Sequence, residues 1–172
     1  MNRQKLLFLD RDGTIIIDKH YLHDPNEIEL IPNVIQALTL FQKDNYLLYI
    51  ITNQSGIGRG YFTEKDMHAV HERLDEIFKE NGIKIEEYLF CPHAPDENCE
   101  CRKPKPTLID QVLKNHDYDA SNSYMLGDKT VDREAGINAG INGVMIKRDS
   151  KTEREGEFLD LLEFYQSLHR NK

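Results

Sequence analysis

The sequence lacks a long apolar run at its start and carries fewer basic than acidic residues. In MNRQKLLFLD only four consecutive residues are apolar, which is too short for a signal-peptide core or a membrane span. We therefore expect a cytoplasmic protein without a membrane partner. Lys and Arg number 22 against 30 Asp and Glu, a net charge of -8. This charge argues against nucleic acid as a partner, because binding the phosphate backbone needs clustered basic residues.

Cysteine is scarce as well, and all three cysteines lie within eleven residues. A secreted disulfide scaffold usually spreads an even number along the chain. Internal repeats, low-complexity tracts and an interdomain linker are also missing from the sequence. The 172 residues, 39% of them hydrophobic, are enough to bury one core, so we predict a single domain over residues 1–172 and expect a monomer.

Apolar runs and helical patterns alternate along most of the chain. The runs are continuous rather than alternating, as expected for parallel strands that are covered on both faces. They lie at 5–9, 46–52, 87–91, 123–126 and 143–146. Helices are predicted from Pro32, Thr63 and Pro106, over 132–139, and as an amphipathic C-terminal helix at 153–170. The pattern predicts an α/β protein with a doubly wound, Rossmann-like parallel sheet, in which ligands bind beyond the carboxyl ends of the strands.

Acidic residues follow the first predicted strand. The segment DRDGT at residues 10–14 puts two carboxylates, Asp10 and Asp12, where a strand ends and a glycine turn begins. Taken alone, these residues are also typical of an ordinary turn.

Polar residues follow two other strands. TNQSGIGRG at residues 52–60 can form a cradle of backbone N–H groups for an anion, or a flexible glycine loop, and matches no dinucleotide-binding or P-loop pattern. GDKTVD at residues 127–132 adds further acids, although Asp132 alone could be a helix cap. Together the three strand ends supply oxygen ligands, phosphate donors and a nucleophile with an acid beside it. That set favours Mg²⁺-assisted phosphoryl transfer on a small phosphorylated metabolite.

These segments resemble the motifs of the haloacid dehalogenase superfamily of phosphatases. DRDGT, the hydroxyl of Thr52, Lys103 and the GDKTVD segment match its four motifs in the right order over about 145 residues. The resemblance implies the fold of that superfamily, here without a large cap domain.

The resemblance also implies roles for individual residues. Asp10 would attack the phosphorus to form an aspartyl-phosphate, and Asp12 would protonate the leaving oxygen and then activate water. Thr52 and Lys103 would hold the transferring phosphoryl group. Mg²⁺ would be bound by the Asp10 carboxylate, the backbone carbonyl of Asp12 and Asp128. Lys129 and Asp132 would lie just behind these ligands, although Lys129 could instead be a solvated surface lysine.

The cysteines belong to the stretch CPHAPDENCECRKPKP at residues 91–106. Three thiolates and an imidazole fill a tetrahedral Zn²⁺ shell and leave no open position, which is typical of structural sites. The predicted ligands of this zinc loop, residues 91–101, are Cys91, His93, Cys99 and Cys101. A nucleophilic cysteine and a set of buried thiols are the competing interpretations. Lys103 follows the last cysteine closely, so a zinc clamp would present it to the phosphate.

The zinc loop and CRKPKP, together with the TNQSGIGRG segment, are similar to those of the D-glycero-D-manno-heptose-1,7-bisphosphate 7-phosphatase family, which serves lipopolysaccharide or surface-glycan synthesis. In that family the arginine beside the phosphate lysine recognises substrate, which implies this role for Arg102. Further substrate contacts implied are Asp18, Tyr21, Asn53, Gln54, Ser55 and Arg59. Histidinol-phosphate phosphatases share the zinc loop, but their second loop usually reads NQDG, so Ser55 and Arg59 favour the sugar bisphosphate.

Two interpretations from other classes stay open. A non-catalytic zinc module would not need two acids beside the Thr52 loop. A phosphoacceptor signalling domain would need neither the zinc loop nor Asp12 as a general acid. Only a hydrolase would release phosphate with turnover.

Overall fold

The computed structural model describes residues 2–148 and 156–170. Its strands are β1 (Lys5–Leu9), β2 (Tyr46–Asn53), β3 (Ile85–Cys91), β4 (Tyr124–Gly127), β5 (Asn142–Ile146) and β6 (Glu157–Phe158). They form one six-stranded sheet in the order β3-β2-β1-β4-β5-β6, and every pairing is parallel. The predicted doubly wound α/β fold is therefore confirmed.

Helices cover both faces of this sheet. They are α1 (Val34–Lys43), α2 (Ser55–Gly58), α3 (Glu64–Glu80), α4 (Thr107–Leu113), α5 (Thr130–Asn138) and α6 (Leu161–Ser167). Apolar side chains of α1, α3 and α6 pack on one face, and those of α4 and α5 pack on the other. Within β1, Leu7 faces the first layer while Leu6 and Phe8 face the second. Burial of both faces explains why the strands read as unbroken apolar runs.

The predicted helix starts follow from local capping. Thr63 accepts a hydrogen bond from the backbone N–H of Asp66, and the Asp66 carboxylate accepts one from the N–H of Thr63. This reciprocal pair satisfies two N–H groups at the start of α3, as a capping box does. Pro106 precedes α4 directly, in agreement with the predicted start. The glycine-rich segment after β2 begins with the short helix α2, which was not predicted.

The predicted C-terminal helix over 153–170 is wrong in its extent. Part of that range, residues 153–155, lies outside the described residues. Glu157 and Phe158 instead pair with Met145 and Ile146 as the edge strand β6. Asp160 then caps α6 by accepting a hydrogen bond from the N–H of Glu163 at 2.8 Å. The helix therefore begins at Leu161, because the Asp160 carboxylate accepts a hydrogen bond from a backbone N–H group that has no partner within the first turn.

The remaining expectations about architecture concern inserted domains and membranes. Among residues 2–148 and 156–170, no inserted cap domain is present. In that part of the chain, no helix has both the length and the apolar character needed to span a bilayer.

Candidate active site

Three predicted site residues meet at one edge of the sheet. Asp10 directly follows β1, Thr52 is the last residue but one of β2, and Asp128 directly follows β4. The strands β2, β1 and β4 are neighbours in the sheet, and parallel strands place their carboxyl ends at the same edge. The side chains that follow them are therefore brought together, although their positions in the sequence are far apart.

Lys103 reaches this edge from the zinc loop and is 3% exposed. Its Nζ lies 2.7 Å from Oδ1 of Asp10 and 2.6 Å from Oδ1 of Asp132, and it also donates to the backbone carbonyl of Ile51 at 2.8 Å. Burial lowers the pKa of Lys103, but the two carboxylates outweigh burial and raise the pKa overall. The lysine is therefore a buried cation between two acids.

The acids beside Lys103 carry more negative charge than one lysine can balance. Burial raises the pKa of Asp10 well above its usual range, although Lys103 opposes this, and burial also raises the pKa of Asp128. Carboxylate oxygens of Asp10, Asp128 and Asp132 lie within 4.8 Å of one another. A second cation would compensate this cluster.

Asp128 offers the clearest sign of such a cation. Its Oδ1 is buried and has no hydrogen-bond partner among the described residues. Gly13, at φ +86°, lies against this carboxylate so closely that any Cβ there would collide with it. An unpaired oxygen beside two further carboxylates matches the hard oxygen ligands that Mg²⁺ prefers. The residues present therefore fit a magnesium ion.

Asp132 has a different position from the other two acids. Its Oδ1 pairs with Lys103, and its Oδ2 accepts a hydrogen bond from the backbone N–H of Lys129 at 3.0 Å. Both oxygens are thus in use, which suits a residue that orients Lys103 rather than one that binds a metal. Lys129 is exposed and lines the cavity described below.

Asp12 lies in a network of hydrogen bonds with its neighbours. Arg11 donates to Oδ2 from Nε at 3.0 Å and to Oδ1 from Nη2 at 3.1 Å. Gln54 donates from Nε2 to Oδ2 of Asp12 at 3.1 Å and to Oγ1 of Thr52 at 2.8 Å. The carboxylate keeps 19% exposure. Oδ2 therefore has two donors and Oδ1 has one, which leaves Oδ1 the freer oxygen for a proton.

Two residues predicted to contact substrate are instead engaged with the site itself. Asn53 accepts a hydrogen bond from the backbone N–H of Lys103 at 3.1 Å and donates to its carbonyl at 3.3 Å. Gln54 is 4% exposed and uses its amide on Arg11, Asp12 and Thr52. Both side chains line the cavity, but their hydrogen bonds hold Lys103, Asp12 and Thr52 in place. The peptide bond between Lys103 and Pro104 is cis.

A cavity of about 220 Å³ opens above these residues. It is lined by Arg11, Asp12, Asp18, His20, Tyr21, Asn53, Gln54, Ser55, Gly56 and Lys129. Neither Arg59, which is exposed, nor Arg102 is among the lining residues. Arg102 is half-buried, and its Nη1 is buried without a hydrogen-bond partner in the described residues. Arg102 therefore has a buried guanidinium nitrogen with unused hydrogen-bonding capacity.

The four predicted zinc ligands form a second cluster, at the end of β3. Their ligand atoms all lie within 4.8 Å of one another. The Sγ of Cys91 lies 3.5 Å from Sγ of Cys99 and 3.5 Å from Nδ1 of His93, which lies 3.2 Å from Sγ of Cys101. Two thiolates on one tetrahedral zinc stand about 3.7 Å apart, given Zn–S bonds of about 2.3 Å. Most of these distances fit the ion; Cys91 and Cys101, at 2.7 Å, would have to separate by about 1 Å.

The zinc loop packs against α2. Gly58 donates its N–H to the carbonyl of Pro92 at 2.8 Å, and a Cβ on Gly58 would lie 2.6 Å from the backbone nitrogen of Ala94. The loop also bonds to its own continuation, since Lys105 donates to the carbonyl of Cys99 at 2.7 Å. These contacts join the cysteine cluster to the segment that carries Lys103.

The sequence did not single out two buried polar residues, Arg11 and His71. Arg11 is 1% exposed and His71 is 5% exposed, and Nη1 of Arg11 lies 3.2 Å from Nε2 of His71. A signal was available for the histidine, because His71 shares the apolar face of α3 with Met67 and Leu74. His71 lies at a core position of α3 beside the buried guanidinium of Arg11, so it belongs to the hydrogen-bond network around Asp12.

Comparisons with known proteins agree with this geometry. A model of the family described as polynucleotide kinase 3 phosphatase matches residues 5–159. The D-glycero-beta-D-manno-heptose-1,7-bisphosphate 7-phosphatase of Helicobacter pylori is 46% identical over 155 residues, which cover 88% of this chain and 90% of that protein.

Solved structures extend the likeness to the fold. The crystal structure of D,D-heptose 1.7-bisphosphate phosphatase from B. bronchiseptica, complexed with magnesium and phosphate, has a TM-score of 0.86 at 27% identity. The match covers 98% of this chain and 100% of that chain. A HAD-superfamily hydrolase from Geobacter sulfurreducens, at 14% identity and a TM-score of 0.63 over 95% of this chain and 99% of that chain, shares the fold alone.

Proposed function

Since the chain belongs to the haloacid dehalogenase superfamily of phosphatases, and within it to the D-glycero-D-manno-heptose-1,7-bisphosphate 7-phosphatases, we propose that it removes the 7-phosphate of D-glycero-D-manno-heptose 1,7-bisphosphate. The protein is a phosphoric monoester hydrolase. One observation carries the proposed chemistry: Asp10 touches the buried cation of Lys103 and lies beside the unpaired oxygen of Asp128. We further propose that the reaction serves the synthesis of lipopolysaccharide or surface-glycan precursors.

The reaction begins at Asp10. Its carboxylate oxygen attacks the phosphorus, and the bond from phosphorus to the sugar oxygen breaks with its electron pair on that oxygen. Oδ1 of Asp12 gives a proton to the leaving oxygen, and the sugar departs with a free hydroxyl. Asp12 then takes a proton from water, whose oxygen attacks the phosphorus of the aspartyl-phosphate. The bond from phosphorus to the Asp10 oxygen breaks with its electron pair on that oxygen, and inorganic phosphate leaves. Asp10 and Asp12 are thereby restored for the next turnover.

The transferring phosphoryl group is held by Thr52 and Lys103. Its charge is spread over three equatorial oxygens, which a buried ammonium and a hydroxyl stabilise in a site with little water. Asp132 keeps the Lys103 ammonium directed at this place, and Asn53 holds the lysine backbone. Asp10, the Asp12 carbonyl and Asp128 would hold Mg²⁺, which when bound neutralises phosphoryl oxygens and orients them.

Recognition of a bisphosphate needs local positive charge, because the whole chain carries -8. Arg102 is the candidate for the second phosphate, since its buried Nη1 has no partner in the described residues. Lys129, Ser55, Asp18 and Tyr21 at the cavity wall are candidates for the sugar. Arg59 is the weaker candidate for the same task, because its side chain is exposed.

Zinc is proposed to be structural. Three cysteines and His93 would complete its tetrahedral shell, so no position is left for substrate or water. The clamp would fix residues 91–101, and with them the start of the segment that carries Lys103. We also expect a monomer without a nucleic-acid partner in the cytoplasm; these expectations stay predictions.

Steady-state kinetics on two substrates test the proposal. We expect kcat/KM for D-glycero-D-manno-heptose 1,7-bisphosphate to exceed that for histidinol phosphate by at least about tenfold, because only the former carries a second phosphate. Arg102→Ala should remove most of this preference and change hydrolysis of a small generic phosphate ester little. Equal use of both substrates would reject the bisphosphate assignment. Absence of phosphate release on any ester would support a non-catalytic phosphoacceptor or zinc module.

A further inference from the structure

The plane of the Asp12 carboxylate is set by Arg11. The guanidinium donates from Nε and Nη2 to the two oxygens of Asp12, at 3.0 Å and 3.1 Å. A planar guanidinium that binds both oxygens of a carboxylate fixes its orientation as well as its position. Where Oδ1 of Asp12 points therefore depends on what holds Arg11.

Arg11 is held on its far side by His71. Its Nη2 reaches the carbonyl of Leu22 at 3.4 Å and Oε1 of Gln54 at 3.2 Å. Within the described part of the chain, the partner of Nη1 is Nε2 of His71, at 3.2 Å. An arginine has donors only, so Nε2 must accept this hydrogen bond and the ring proton must lie on Nδ1. The histidine is thus neutral, and it fixes one corner of the guanidinium.

The ring of His71 is itself fixed by packing. It stacks on Tyr88 with ring centroids 5.0 Å apart and 26° between the planes, and the Tyr88 hydroxyl donates to Asp75 at 3.3 Å. His71 is not among the residues that line the cavity above Asp12. It therefore reaches the reacting atoms only through Arg11.

We propose that His71 is a positioning residue for proton transfer, because it holds the Arg11 guanidinium that orients the Asp12 carboxylate. The inference rests on the proposed role of Asp12 as general acid and base. Without an acceptor at His71, the buried Nη1 of Arg11 lacks a partner, and the guanidinium turns to find one. Asp12 turns with it, and Oδ1 no longer points at the leaving oxygen.

This role predicts a dependence on the leaving group. A sugar alkoxide needs a proton as it departs, whereas 4-nitrophenolate leaves well without one. The value of kcat/KM reports the steps up to departure of the leaving group. It does not include the later hydrolysis of the aspartyl-phosphate, a step that is the same for both substrates. A displaced Asp12 should therefore lower kcat/KM for the sugar phosphate much more than for 4-nitrophenyl phosphate.

Two amide variants provide a matched pair. His71→Gln puts an amide oxygen near the place of Nε2, and His71→Asn, one methylene shorter, does not reach Arg11. For His71→Asn we expect kcat/KM on the sugar bisphosphate to fall about tenfold or more, which is part of the roughly 10²–10⁴-fold that general acids supply. We expect kcat/KM on 4-nitrophenyl phosphate to fall less than about threefold. His71→Gln should stay within about threefold of the unmodified protein on both substrates.

Asp12→Asn serves as the reference for the proposed function. If it lowers kcat/KM on both substrates equally, the general-acid role of Asp12 is wrong. Suppose instead that Asp12→Asn lowers kcat/KM more for the sugar bisphosphate than for 4-nitrophenyl phosphate. If His71→Asn then lowers kcat/KM equally for both substrates, or for neither, only the positioning role of His71 is wrong. Should His71→Asn not fold, His71→Phe replaces it, since it keeps the ring on Tyr88 and removes the acceptor; the same two outcomes then decide.

Discussion

Nζ of Lys103 lies 2.7 Å from Oδ1 of Asp10 although 93 positions separate the two residues. The contact joins the proposed nucleophile to the segment that follows the zinc ligands. Lys103 is 3% exposed and Asp10 is 7% exposed, so this is a buried ion pair whose partners need each other. The segment that follows the predicted zinc ligands is thus connected to the sheet edge that carries Asp10.

Lys103→Met should remove most turnover. The methionine keeps the apolar stem but leaves the phosphoryl oxygens without the ammonium, and we expect kcat to fall by about 10²-fold or more. The carboxylates of Asp10 and Asp132 also lose their partner, so the free energy of unfolding in metal-free buffer should fall by about 3–5 kcal/mol. Steady-state kinetics and urea unfolding measure the two effects. Lys114→Met is the control, because Lys114 is exposed at the end of α4 and is not a predicted site residue.

Equal activity of Lys103→Met and Lys114→Met would exclude Lys103 from phosphoryl stabilisation. A loss of stability without a loss of kcat would leave Lys103 as a structural cation only.

Much of this arrangement could be predicted from the sequence, because the strands bury both faces and show as apolar runs. The first strand was predicted with its observed bounds, 5–9, and the residues after strands could be chosen from one rule about parallel sheets. The strand β6 was missed because two residues at a sheet edge leave no periodic pattern. The C-terminal helix was predicted too long because Phe158, which belongs to β6, also fits the spacing of an apolar helix face.

Hydrogen-bond direction could not be predicted in the same way. Asn53 and Gln54 were assigned to the substrate, yet their amides hold Lys103, Asp12 and Thr52. Sequence spacing places a side chain at a strand end but does not say which neighbour it faces. For the same reason, the contact between Arg11 and His71 could not be predicted, because the two residues lie 60 positions apart in the sequence.

Magnesium should stabilise the protein through Asp128. At ten times its Kd, the ion should add about 1.4 kcal/mol, or roughly 3–5 °C in Tm. Asp128→Asn should lose this increment, because a neutral amide binds the ion less well. Its Tm in magnesium-free buffer should match or exceed that of the unmodified protein, since the change removes a buried carboxylate from the cluster. Thermal denaturation with and without MgCl₂ measures both.

Asp110→Asn is the matched control, because Asp110 is exposed on α4 and should keep the full increment. If Asp128→Asn gains as much stability from magnesium as Asp110→Asn does, Asp128 is not a ligand.

Removal of zinc should loosen the zinc loop before it affects the rest of the fold. Metal analysis should find about one zinc per chain, in keeping with one closed four-ligand site. A chelator, or Cys99→Ser, should lower Tm and then lower turnover as Lys103 loses its fixed approach. Glu100→Gln is the control, because Glu100 lies between two predicted ligands and its side chain forms an exposed ion pair with Lys105. A zinc-free protein with unchanged Tm would show that the cysteines do not clamp the loop.

Mild acid should destabilise the protein through His71. Burial, and after it the charge of Arg11, lowers the pKa of His71 to about 3 in the folded state, against 6.5 in the unfolded chain. The stability is fully present above pH 6.5 and is lost as the pH falls from there toward 3, because only the unfolded chain takes up the proton. Between pH 7.5 and 5.5 the free energy of unfolding should fall by about 1.4 kcal/mol from this group.

Urea unfolding of His71→Gln at both pH values isolates this effect, because the variant keeps the zinc loop and every other titrating group. The ring of His71 faces Arg11, His68 and Tyr88, and the carboxylates of Glu72, Asp75 and Glu86 line the same cavity. Among the described residues, none of these carboxylates forms an ion pair with the ring that would offset its protonation. The variant should therefore lose about 1.4 kcal/mol less than the unmodified protein over this interval. His23→Gln, a change at an exposed histidine that is not in contact with His71, should retain the full loss. An equal loss in all three proteins would mean that His71 is not held neutral against Arg11.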